Sequence, residues 1–196
     1  MMTATVPSVT DHSKPDMFRA ISFTTLLAGL LDILAAIIKF YLDTNFGAKL
    51  KLTPSGEPEP VSFITYLTNG GPDRIFKYIA SGVFGKESSI SENLLITWGI
   101  VFHFMIAFAF TVFLFMIYPK VNSFLKNKYL TALAFGIFTW CIMNLVVVPL
   151  SITDKLPSDP KKIIIDATIL ICMIGLPVAL MAAGYYSKKS KQTGRQ

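Results

Sequence analysis

The sequence predicts an all-α integral membrane protein, a four-helix bundle with a short interfacial helix in the long loop between spans one and two. Two observations carry this. Of 196 residues, 53% are hydrophobic and only 15% charged, against about 25% charged in an ordinary soluble domain. The apolar residues also fall in four long blocks rather than short periodic pieces, which is the pattern of membrane spans. A bilayer core about 30 Å thick takes about 20 helical residues, and in lipid only a helix satisfies its own backbone polar groups.

The N-terminal tail, 1–19, is polar, and span one covers 20–42. Lys14 and Arg19 precede it as they would a cleaved secretory signal, but its apolar stretch is longer than a signal core and no small-x-small cleavage site follows. The long loop comes next. Its first half holds TPSGEPEP, 53–60, whose prolines and glycine make an extended outward-facing linker.

The second half, GPDRIFKYIASGVFG, predicts a helix over 72–85. Pro72 suits a first turn, and Asp73 is favoured at the positive end of the helix dipole. Ile75, Phe76 and Ile79 lie three or four residues apart, beside Arg74, Lys77 and Lys86. Such a helix is too short to span, and its pattern sets it on the bilayer surface or dipping partly into it.

Spans two, three and four cover 94–118, 130–150 and 163–186, so the transmembrane domain runs over 20–186. SITDKLPSDPKK between spans three and four is a turn, with Pro149, Pro157 and Pro160 stopping helical continuation. Gly175 and Pro177 mark a kink in span four. Two pairs of helices permit an inverted-repeat transporter, but no internal repeat is strong enough to argue for one.

Orientation follows from the basic residues. Lys120, Lys126 and Lys128 lie between spans two and three without an acid, and the tail 187–196 adds Lys188, Lys189, Lys191 and Arg195. Other connections mix their basic residues with Asp or Glu. Both termini are therefore expected on the cytoplasmic face. The net charge of +6 is then what topology and anionic headgroups demand. KKSKQTGRQ, short and without interleaved aromatics, is not a nucleic-acid-binding element.

Polar residues inside a membrane are costly, and each is a functional candidate. Asp32 and Lys39 are seven residues apart on span one and share a face with Ala28, Ala35 and Ala36. His103 on span two is flanked at four residues by Gly99 and Ala107, and Asn144 on span three shares a face with Gly136 and Trp140. With cytoplasmic termini, Asp32, His103 and Asn144 lie roughly 18, 22 and 21 Å from the inner ends of their helices. They are expected to meet as one polar cluster. Lys39 and Asp166, each within about two turns of an outer helix end, make a second candidate pair. For Asp32 and His103 alike, the alternative is a hydrogen-bonded group that only fixes helix packing.

Other chemistry lacks its residues. Cys141 and Cys172 fall at similar depth within spans, and two reduced, buried thiols are the plainer reading than a disulfide or metal pair. No Cys or His cluster has metal-ligand spacing. A histidine-box oxidase or bis-histidine haem protein needs more than the two histidines present, of which His12 lies in the polar tail. For a serine hydrolase pairing Ser81 with His103, IASG lacks the first glycine of GxSG. No catalytic residue, metal site or cofactor is implied.

The segments AGLLDILAA, IASGVFG, HFMIAFAF, NLVVVPLS and GLPVAL resemble those of uncharacterised bacterial inner-membrane proteins with four spans and, more distantly, the YagU-like family. The resemblance covers residues 28–180. It implies fold and location, and weakly a role in acid or stress tolerance, with no catalytic residue to carry over. The resulting reading is a non-enzymatic bacterial inner-membrane protein: a small transporter or channel subunit, or a membrane-integrity and stress-tolerance factor. Below it ranks an interaction protein that scaffolds or stabilises a membrane complex, and last an intramembrane enzyme. Four helices leave little room for a private pathway, so transport implies a homo-oligomer or a membrane protein partner, with lipids around it.

Overall fold

The computed structural model describes residues 16–46, 61–85, 89–151 and 159–193. The 53–60 linker, His12, Lys14, Lys86, Pro157 and Arg195 lie outside the described residues. The elements are α1 (Met17–Phe46), α2 (Phe63–Thr68), α3 (Gly71–Phe84), α4 (Glu92–Leu125), α5 (Lys128–Ile142), a π-helical turn (Met143–Val147), α6 (Val148–Leu150), α7 (Pro160–Leu170), a second π-helical turn (Ile171–Gly175) and α8 (Leu176–Thr193). Four stretches are long and apolar enough to cross a membrane: Met17–Asp43, Glu92–Leu125, Lys128–Leu150 and Pro160–Gln192. The chain is an all-α, multi-pass membrane bundle.

Every span is longer than its hydropathy block. At its C-terminal end α4 continues through Pro119 to Leu125, so that only Lys126 and Asn127 link it to α5. Pro119 has no N–H, and the carbonyl of Phe115, four residues back, is left without its intrahelical donor. The Tyr186 hydroxyl of α8 donates to that carbonyl over 2.7 Å, which replaces the missing bond. Lys126 then ends the helix with φ at 50°, and the Asn127 side chain caps α5 by accepting from the N–H groups of Tyr129 and Leu130.

The two π turns share a cause. Pro149 and Pro177 each stand two residues beyond a π turn. A proline within a helix clashes with the carbonyl four residues before it, and widening the preceding turn by one residue relieves the clash without breaking the span.

Lipid offers no hydrophobic force between helices, so packing and close approach hold the bundle. Phe115, Leu114 and Val178 are fully buried where α4 and α8 meet, with Ala28 of α1 and Ala132 of α5 in the same core. Thr24 and Thr111 are buried too, each returning its hydroxyl to the carbonyl four residues back. Glycines set the tightest crossings: a Cβ on Gly136 would lie 2.5 Å from Ile171 Cα, and one on Gly175 would lie 2.4 Å from the Ala132 carbonyl. Outward, Phe18, Met116, Phe124, Leu150 and Ile164 are widely exposed, as residues facing acyl chains are.

α3 realises the helix expected over 72–85, with Pro72 in its first turn and Gly85, at φ 83°, just past its end. Its apolar face is turned to the bundle. Ile75, Ala80 and Ser81 are buried, and a Cβ on Gly99 of α4 would lie 2.1 Å from the Phe76 carbonyl. Lys77 pairs with Glu92 at 3.0 Å, which ties α3 to the start of α4. The short α2, unforeseen in the sequence, is capped by Ser62 and followed by Gly70 at φ 71°. The buried Asn45 clamps this segment by donating to the Val61 carbonyl at 3.0 Å and accepting from the Val61 N–H at 2.8 Å.

Candidate functional site

α1 carries Thr25, Asp32 and Lys39 at seven-residue intervals, which keeps all three on one helix face. Thr25 Oγ1 is buried without a hydrogen-bond partner. Close approach brings α4 against this face at Gly29, where a Cβ would meet the Phe104 ring at 2.7 Å. His103 fills the crossing, its Nε2 2.9 Å from the Gly29 carbonyl. A carbonyl only accepts, so Nε2 is the donor in this contact. Asp32, three residues beyond Gly29, is within electrostatic reach of His103. Asp32 on α1 and His103 on α4 thus stand on the two sides of the α1–α4 crossing.

Asn144 does something different. It stands in the first π turn, where its Nδ2 donates to the Trp140 carbonyl at 3.1 Å, so its hydrogen bond stays within its own helix. The same carbonyl also accepts from the Met143 backbone N–H, so the amide is a second donor to it. Trp140 Nε1 and Thr139 Oγ1 in the preceding turn are buried without partners.

Further along α1, Lys39 Nζ donates to Asp166 Oδ1 of α7. Both side chains keep about a quarter of their surface exposed, at 26% and 29%. A lone charge at a bilayer centre costs about 3 kcal/mol on insertion scales, and facing charges offset much of that. One face of α1 therefore runs from an aspartate–histidine crossing to a lysine–aspartate pair.

Both cysteines are free thiols. Among the described residues no group of three or more His, Cys, Asp or Glu side chains is placed to hold a metal ion. Tyr186 is the residue that sequence reasoning missed. Its partner Pro119 was the available signal, since a proline inside a span orphans a carbonyl that some neighbour must satisfy.

Fold and site together define a multi-pass, four-span membrane protein with an aspartate and a histidine on the two sides of one helix crossing. Comparison of the chain with family models, with curated proteins and with solved structures gave no match.

Proposed function

We propose that this chain is a non-enzymatic protein of the bacterial inner membrane, a small proton-responsive transporter or channel subunit in which Asp32 and His103 are the groups that exchange protons. The observation supporting this is the α1–α4 crossing, where His103 is held by the Gly29 carbonyl and Asp32 lies one turn further along α1. Two opposed titratable groups inside a span are what a proton relay uses. Four spans enclose little, so the reading includes self-association or a membrane protein partner. Both termini are cytoplasmic in it, since Lys120, Lys126, Lys128, Lys188, Lys189 and Lys191 gather at the end of the bundle where the chain leaves the membrane. A membrane-integrity and stress-tolerance role, carried by the YagU-like resemblance, is compatible with the same site.

Proteoliposomes holding the purified protein test it. A pH gradient should drive a flux that Asp32→Asn abolishes while the oligomer still elutes as wild type. A wild-type protein with no flux, whose Asp32→Asn form merely melts earlier, overturns the transport reading and favours a scaffold for a membrane complex. Thiol labelling in intact cells checks the topology: a cysteine at Asn69 should react with an impermeant reagent, and one at Ser123 should not.

A further inference from the structure

At the basic end of the bundle, α4, α5 and α8 enclose an open cavity of about 430 Å3. Its wall is formed by Tyr118 and Tyr186, whose rings stack at 5.6 Å. Lys126, Lys128, Asn122 and Ser190 line it as well. Three features make this more than a solvated surface.

The first is charge. No Asp or Glu occurs between residues 93 and 153 or after Asp166, so neither segment building the cavity supplies a counter-ion. Asp16, an acid at this end, is occupied by Arg19 at 3.5 Å. The second is the backbone at Lys126, the one non-glycine residue among those described with positive φ. Glycine or asparagine suits that position, and a lysine there puts a cation at the cavity at a conformational cost. The third is the pairing of surfaces. Stacked rings and Ala183 give an apolar wall beside two ammonium groups and hydroxyl donors, which matches a headgroup whose phosphate continues into glycerol and acyl chain.

We propose that this cavity binds a phosphate-bearing anion, supplied in the membrane by the phosphodiester headgroup of an anionic lipid. The inference depends on the membrane embedding of the chain and is independent of Asp32 and His103. Lys126 and Lys128 are the charge-recognising residues, and Asn122 and Ser190 donate to the remaining phosphate oxygens.

The test is titration of the detergent-purified protein with phosphatidylglycerol or phosphatidylcholine, following bound lipid by native mass spectrometry. Phosphatidylglycerol should bind in preference. The double variant Lys126→Gln/Lys128→Gln should weaken it roughly thirtyfold, about fivefold per lysine. Lys120→Gln/Lys188→Gln, which removes the same charge outside the cavity, should leave it within about twofold. Lys126→Gly guards against misfolding: it frees the left-handed backbone, should keep Tm, and should still lose about fivefold in affinity. Competition by glycerol 3-phosphate assigns the site to the phosphate itself, whereas failure to compete assigns it to the intact lipid. Either supports the proposal when it depends on Lys126 and Lys128. Equal weakening by both double variants, unchanged affinity in Lys126→Gly, or equal binding of phosphatidylcholine overturns it.

Discussion

Tyr186 of α8 donates its hydroxyl to the Phe115 carbonyl of α4 at 2.7 Å, and Phe115 stands four residues before Pro119, the proline that deprives it of a helical donor. A contact between two helices thus stands in for a bond missing inside one of them. Tyr186→Phe keeps the ring stack on Tyr118 but orphans the carbonyl, and should cost about 1–3 kcal/mol. Pro119→Ala restores the backbone donor. In a thermal-unfolding double-mutant cycle, the Tyr186→Phe cost should shrink on the Pro119→Ala background; equal costs on both backgrounds would show the hydroxyl to be incidental.

Gly99 is where α3 docks. Alanine there sets a Cβ 2.1 Å from the Phe76 carbonyl, and since that atom is backbone, the whole helix must retreat. Gly99→Ala should destabilise by about 2 kcal/mol or more, the scale of overpacked contacts, and quicken proteolysis of 71–85. Gly184→Ala meets nothing within 4 Å and should stabilise α8 by up to about 1 kcal/mol. Similar melting curves for the two variants would refute this view of the crossing.

The Lys39–Asp166 pair is neither fully buried nor exposed. Lys39→Met leaves the Asp166 carboxylate without its cation and should cost about 2 kcal/mol, between the values for surface and buried pairs. Lys39→Met/Asp166→Leu should recover most of that in the same melt. Additive losses would mean that the two side chains act separately.

Tyr66 gives the α2–α3 segment a pH response. Burial raises the pKa of its phenol, against an opposing pull from the Arg74 charge. The folded state therefore holds its proton to higher pH than the unfolded chain does. The associated stability is complete below the unfolded value near 10 and declines as pH climbs through the raised folded value. Tyr66→Phe should flatten this alkaline decline. It should also leave neutral-pH stability equal or higher, because Tyr66 Oη is buried without a hydrogen-bond partner. An unaltered alkaline slope in the phenylalanine variant would assign the titration elsewhere.

The architecture is legible in the sequence because a lipid solvent writes itself into composition: runs such as LLAGLLDILAAII have no other stable home. Helix ends are less legible, since hydropathy reports where lipid stops and not where the helix stops. The segment 119–125 reads as loop because Pro119 and Lys120 look like an ending, and only the distant Tyr186 hydroxyl explains why α4 continues. Antiparallel depth is enough to set Lys39 near Asp166. Depth says nothing about rotation, however, and the π turn at Met143–Val147 turns the Asn144 amide toward the Trp140 carbonyl of its own helix.

Each π turn adds one residue to its span, which offsets everything beyond it by about 100° of helical phase. The fourth span is therefore two helices with separate rotational settings. Its first part, α7, presents Asp166 to α1, and its second part, α8, presents Tyr185 and Tyr186 to α4. No single straight helix carries both settings. Loss of one residue from Ile171–Gly175 would bring the halves into one phase and force the span to choose between its neighbours, so the inserted residue is what lets one helix be read by two partners at once.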